Sequence, residues 1–108
     1  MNLFQRTLAA TTPPDFAYKT GHSQQRIPRF VEQMGPDALI LNLGSGRTDF
    51  GRRVVNLDIK PFSHVAVVGV GERLPVQDAC LDGVITQGVL EHVPDLRATL
   101  AEIDRVLR

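Results

Sequence analysis

A chain of 108 residues with 43% hydrophobic content has room for one small domain and enough apolar material for its core, which excludes wholesale disorder. Lys and Arg total 12 and Asp and Glu total 12, so the formal net charge is zero and nothing in the balance calls for nucleic acid or an anionic membrane surface as partner. The one cysteine, Cys80, excludes an internal disulfide and a cysteine-built metal cluster; it reads as a small apolar filler and fits a reducing, cytoplasmic setting.

No apolar run approaches the ~20 residues a membrane span needs, and residues 1–10 do not have the pattern of a secretory signal. Residues 1–21 read as an arm, extended or turning at Thr11-Thr12-Pro13-Pro14, because proline fixes its own φ and constrains its predecessor. Residues 22–34 place Ile27, Phe30, Val31 and Met34 on one helical face, with Ser23 as a candidate cap. Pro28 is awkward inside that helix and moves its expected start toward Ile27. Gly35-Pro36-Asp37 closes the segment, so residues 1–37 form an N-terminal arm and helix ahead of a unit spanning 38–108.

Residues 38–43 are nearly all apolar and stop at Gly44, the pattern of a strand buried on both faces of a parallel sheet. Residues 54–58, 65–68 and 82–87 read as further strands, the last weakened by Gly83. Asp95 is a candidate cap for a final helix whose Leu96, Leu100, Ile103 and Leu107 make one stripe. Asp104 and Arg108 have the i,i+4 spacing of an ion pair on its outer face. Buried strands alternating with connections imply an α/β fold with a parallel sheet.

In such sheets ligands lie outside the carboxyl ends of the strands, near a switch in strand order. The residues that matter therefore follow Leu43, Leu57, Val68 and Ile85. Gly44-Ser45-Gly46 permits a tight turn and close approach of a ligand, although Gly-x-Gly after a strand is often a turn and nothing more. Asp58 is suited to accept two hydrogen bonds from a ribose diol, or is simply a solvated strand-end carboxylate. It follows Gly46 by 12 residues, short of the ~20 usual in dinucleotide folds. Gly69-Val70-Gly71-Glu72 leaves room for a flat ring, and Gln87 sets a polar group where a ligand tail could be held. Taken together, glycine or polar groups stand at all four strand ends, in an order that suits a nucleoside.

These residues also resemble a known family. Leu41-Asn42-Leu43-Gly44-Ser45-Gly46 resembles the first motif of class I S-adenosylmethionine-dependent methyltransferases, usually Leu-Asp-Leu-Gly-Cys-Gly. Asn56-Leu57-Asp58-Ile59 resembles their acidic motif at the end of the second strand. Glu72-Arg73-Leu74-Pro75-Val76 followed by Leu81-Asp82-Gly83-Val84, and then Val89-Leu90-Glu91-His92-Val93-Pro94-Asp95, resemble later segments, over about 38–108 in all. The nearest group is the type 11, ubiquinone/menaquinone-biosynthesis-like set.

The resemblance implies an incomplete Rossmann-like parallel sheet of about four strands with flanking helices, and S-adenosylmethionine as cofactor. By the same resemblance Gly44, Ser45 and Gly46 line the methionine and ribose side. Asp58 holds the ribose hydroxyls, and Ile59 packs on the adenine. Gly71 and Glu72 lie near the adenine edge, and Gln87 faces the methionine end. The expected activity is methyl transfer to a small-molecule acceptor. No catalytic side chain is assigned, since a sulfonium brings its own leaving group and needs chiefly alignment.

Several features depart from the family pattern. Ser45 replaces the common Cys, and the usual third glycine is absent near Thr48-Asp49. Only residues 47–53 separate the glycine loop from the second strand, whereas a parallel crossover ordinarily takes ~10–12 or more. Either the first crossover helix is reduced to a turn or the strand limits shift. Val70 stands where the family often has an Asp that bonds the adenine amine. Glu91-His92 carries general-base and metal-ligand chemistry. Gly88 stands where metal-binding relatives have a Glu, so no metal is expected, and anchoring of the loop is preferred to catalysis for the pair. The full family fold has a seven-stranded sheet, so a truncated domain is expected, with an open sheet edge suited to self-association. The alternatives are a catalytically inactive methyltransferase-like fragment or scaffold module, and a nicotinamide-dependent oxidoreductase. The missing Gly-x-Gly-x-x-Gly argues against the last.

Overall fold

Four short parallel strands, β1 (Ile40–Leu43), β2 (Val54–Asp58), β3 (Val67–Val68) and β4 (Gly83–Thr86), form a sheet in the order β3-β2-β1-β4. The computed structural model describes residues 22–108, with side chains from Arg26 onward; the expected arm at 1–21 and the Ser23 cap fall outside this part. β2 pairs beside β1 and β3 outside β2, and the chain then returns to the far side of β1 to lay down β4. The strand order therefore reverses between β1 and β4.

Among the described residues two helices cover the sheet, α1 (His22–Gln33) on one face and α2 (Leu96–Val106) on the other. Side chains alternate accordingly. Ile40, Val54 and Ile85 meet Ile27 and Val31 of α1, while Leu41, Leu43, Leu57 and Val84 meet Ile103 and Val106 of α2. Both faces are buried, which is why β1 reads as a nearly all-apolar run, interrupted at Asn42, rather than an alternating one.

Helix α1 starts at His22, ahead of the start expected near Ile27, and runs through Pro28. An interior proline costs ~3 kcal/mol. Burying Ile27 and Val31 gains ~1.5–3 kcal/mol each, and Pro28 faces solvent, so packing outweighs the lost hydrogen bond. Gly83 belongs to the same interface. A Cβ there would lie 2.9 Å from the Phe30 ring, so the absence of a side chain is what lets α1 sit on β4.

Strands β1 and β3 are shorter than the expected 38–43 and 65–68. Leu39 is held by Asp82 instead of by a ladder: its N–H donates to the Asp82 carboxylate at 2.8 Å and its carbonyl accepts from the Asp82 N–H at 2.8 Å. Near β3, the Val65 N–H turns back to Phe62.

Asp95 caps α2 as expected, accepting from the Ala98 N–H at 3.0 Å. The buried stripe is rotated from the expected one. It runs through Thr99, Ile103 and Val106, and Leu96 is 47% exposed. Thr99 tolerates full burial because its hydroxyl donates to the Asp95 carbonyl at 2.9 Å. Arg108 does not look back along the helix to Asp104; it reaches Asp82 at 3.6 Å and donates to the Cys80 carbonyl.

Arg105 ties the 74–78 segment to α2 with all five of its N–H donors, two on Glu102 and one each on Leu74, Val76 and Asp78. The Arg105 hydrogen bonds hold the Glu102 carboxyl below its ordinary value against the opposing effect of burial, and the Leu74 N–H adds to the lowering. A depressed folded-state value means that the stabilisation is present above the unfolded value, about 4.3, and is lost as pH falls through the folded one. In urea unfolding, Glu102→Gln is expected to be less stable than the parent chain at pH 7, with the gap closing below about pH 4. A gap independent of pH would contradict this.

Candidate functional site

At the switch between β1 and β4, the carboxyl ends of all four strands border a cleft of about 350 Å³. That volume lies in the range of small-molecule pockets. β1 contributes Leu43 and Gly44, and β2 contributes Asp58 and Ile59. The segment after β3 contributes Gly69 to Glu72, and the segment after β4 contributes Gly88, Val89 and His92 to Pro94. A shallower depression at the opposite ends of the strands, beside Met34, Asp82 and Arg108, is larger at about 540 Å³. Open parallel sheets do not place ligands at that end, so the smaller cleft is the candidate.

The tip of β1 is shaped by glycine. Gly44 has φ 70°, and a Cβ on it would stand 2.3 Å from a Val89 methyl carbon, so the loops leaving β1 and β4 close on each other at a bare backbone position. Gly46, at φ 55°, aims its N–H at the Asp58 carboxylate, 2.7 Å away. The other Asp58 oxygen accepts from the Lys60 N–H at 2.9 Å. Asp58 as a residue is 9% exposed, its carboxylate is fixed from both sides, and each oxygen keeps acceptor capacity for a ligand.

Of the residues expected from sequence, Gly44, Asp58, Ile59, Gly71 and Glu72 line the cleft. Ser45, Gly46 and Gln87 do not form its wall. Ser45 and Gly46 are each bonded to a residue that does, the first donating its N–H to the Leu57 carbonyl at 3.0 Å and the second to the Asp58 carboxylate, while Gln87 is half-buried next to the cleft residue Gly88. Gly71 has a packing reason to be glycine, since a Cβ there would approach Thr99 of α2 to 3.1 Å. Apolar walls come from Ile59 and Val70, 66% and 41% exposed, together with Val89, Val93 and Pro94. The sequence alone assigns the last three no role in a site. The glycine turn at Gly88, φ 66°, is the local signal that swings them toward the cleft.

The Ser45 hydroxyl is buried and has no hydrogen-bond partner among the described residues. Such a group is costly unless something else satisfies it.

Glu91 and His92 do not anchor their loop. Their side chains are 61% and 79% exposed and stand 3.7 Å apart; the turn is held instead by its backbone, His92 N–H to Val89 carbonyl at 2.9 Å. Short-range backbone bonding in the 3-10 turn Leu90–His92 makes side-chain anchors unnecessary, and His92 is left facing the cleft. No three metal-ligating side chains converge among the described residues. Nor is any described helix long and apolar enough to cross a membrane.

A family model described as a methyltransferase domain matches residues 45–108, more than half of the chain. Among solved structures, the chain is similar to a SAM-dependent methyltransferase from Thermotoga maritima, described as a possible histamine N-methyltransferase. The two share 20% identity with a TM-score of 0.59, and the match covers 98% of this chain and 56% of that one. At this identity the likeness speaks for the fold, and the chain spans little more than half of its neighbour's length. A search of curated proteins finds no match.

Proposed function

Because this chain belongs to the methyltransferase domain family, we propose that its cleft binds S-adenosylmethionine and serves methyl transfer to a small-molecule acceptor. Residues 38–108 are, on this reading, the cofactor half of the domain. The observation that carries it is the carboxylate of Asp58, clamped by the Gly46 and Lys60 N–H groups at the mouth of a switch-point cleft. A carboxylate so oriented accepts a ribose diol without reorganising.

The residues present fit the group. Asp58 takes the ribose hydroxyls, and Ile59 and Val70 offer apolar surface to the flat base. Gly44 leaves the backbone open to close approach, and the unpartnered Ser45 hydroxyl stands in the same loop for a polar group of the ligand. Gly71 and Glu72 lie toward the base edge and Gln87 toward the amino-acid end. When bound, the cofactor supplies a methyl group on a positively charged sulfur. The chain's own task is to hold that group, exclude water and fix its direction. The unpaired Cys80 suits a cytoplasmic setting.

Isothermal titration with S-adenosylhomocysteine and, separately, NADH tests this. Binding of the first with Kd on the order of micromolar is expected, with none of the second. Absence of any heat with S-adenosylhomocysteine, in a chain shown to be folded, would identify a non-catalytic module with the same fold, and preference for NADH would place the protein among oxidoreductases.

A further inference from the structure

The connection between β1 and β2 contains no helix. A parallel crossover ordinarily needs one to return the chain and to steady the loop at the strand tip. Here the chain turns within residues 44–53, with the Thr48 N–H on the Ser45 carbonyl at 2.9 Å and Phe50 half-buried against the α1 side of the core. The sheet beneath that turn carries two buried amides, Asn42 and Asn56, which are register partners on β1 and β2. Polar side chains in the middle of a sheet face otherwise built from Ile40, Val54 and Ile85 are costly unless they do something.

Their hydrogen bonds run outward into the two loops that grip Asp58. Asn42 Nδ2 donates to Asn56 Oδ1 at 3.1 Å and to Thr48 Oγ1 at 3.0 Å. The Thr48 hydroxyl in turn donates to the Ser45 carbonyl at 2.6 Å. Asn56 Nδ2 donates to the His64 carbonyl at 3.0 Å. One arm thus holds the loop that supplies the Gly46 N–H, and the other holds the loop that supplies the Lys60 N–H. Above, the same loops are joined by Asp49 and His64 at 3.6 Å and by Arg47 over the Phe62 ring at 5.0 Å. Those surface contacts are exposed and screened, so the buried amides are the determining tie.

We propose that Asn42, Asn56 and Thr48 are positioning residues that aim the Asp58 carboxylate at a ribose, replacing the missing crossover helix. The proposal rests on the nucleoside reading of the cleft. It says that ribose recognition is set from below the sheet, by groups that never touch the ligand.

The test uses the double variant Asn42→Leu/Asn56→Leu, in which both side-chain amides become apolar together; the Thr48 hydroxyl and His64 carbonyl that lose a donor belong to exposed residues where water can replace it, so folding is retained. Thr48→Val, at an exposed position, is the second variant: it removes both the acceptor for Asn42 and the donor to Ser45, cutting the arm to the Gly46 loop while the Asn42–Asn56 and Asn56–His64 bonds remain. Titration compares S-adenosylhomocysteine with its 2′,3′-dideoxy analogue. The parent chain is expected to prefer the natural ribose, and the double variant to lose about tenfold of that preference while binding the dideoxy analogue as before. Thr48→Val loses a smaller share. Amide exchange, measured without ligand, is expected to quicken at both the Gly46 and Lys60 N–H groups in the double variant, and at the Gly46 N–H in Thr48→Val. Equal weakening of both ligands, or unchanged exchange at the two amides, would overturn the proposal. Should the parent chain bind neither ligand, the nucleoside reading of the cleft fails; the exchange measurement still decides whether the amides hold the carboxylate's donors.

Discussion

Gly44→Ala is expected to destabilise the domain by about 3 kcal/mol, which is roughly a 15 °C fall in Tm for a domain of this size. Two terms add. A non-glycine residue in the left-handed region costs ~1–2 kcal/mol, and Gly44 sits at φ 70°. Overpacking costs ~1–3 kcal/mol, and the new Cβ would stand 2.3 Å from Val89. Val89 is β-branched and cannot step aside by a small rotation. Gly46→Ala separates the terms, because Gly46 has φ 55° but nothing within 4 Å of its Cβ position. It should show the backbone cost alone. Adding Val89→Ala to Gly44→Ala should recover the packing part and leave the backbone part. A thermal melt of Gly44→Ala indistinguishable from the parent would show that the loops leaving β1 and β4 do not meet at this position.

Asp58→Asn is expected to weaken S-adenosylhomocysteine binding at least about 100-fold. Hydrogen bonds to a charged group contribute ~1.5–3 kcal/mol each, and a ribose offers two hydroxyls. The amide also meets a conflict of its own. Gly46 and Lys60 both present N–H donors, at 2.7 and 2.9 Å, and an Asn side chain can turn its oxygen to only one of them. The unsatisfied donor costs ~1–3 kcal/mol, so a lower Tm should accompany the weaker binding. Titration at a temperature where the variant is fully folded separates the two effects. Affinity equal to the parent's would remove Asp58 from the ribose site.

The Glu102 acid limb and the amide network concern different parts of the same design. Arg105 and Glu102 fix the segment after β3 onto α2, and Asn42 and Asn56 fix the loops around β2. Between them, three of the four strand-end segments that border the cleft are held by polar side chains acting on backbone groups. A loop without regular structure must satisfy its N–H and carbonyl groups somewhere, and here it does so on named side chains.

Much of this was legible in the residues themselves. A nearly all-apolar run ending at Gly44 identifies β1, because a strand buried on both faces has no polar alternation to preserve. Asp95 announces α2, because a helix start needs an acceptor for its free N–H groups. Asp58 and the Gly44-Ser45-Gly46 turn mark the strand ends, because a polar residue or a glycine stops an apolar run where the backbone must turn. Tertiary structure decided the rest. Whether α1 survives Pro28 depends on what Ile27 and Val31 bury against, which periodicity does not contain. The stripe of α2 turned from Leu96 to Thr99, because a threonine hydroxyl satisfied within the helix packs like an apolar group. Glu91 and His92 stand exposed because a backbone turn had already anchored their loop. Asn42 and Asn56 look like two unremarkable polar residues until the register sets them side by side. Pairing between segments far apart in the chain is a property of distance in space, and local residue order determines propensity without determining that distance.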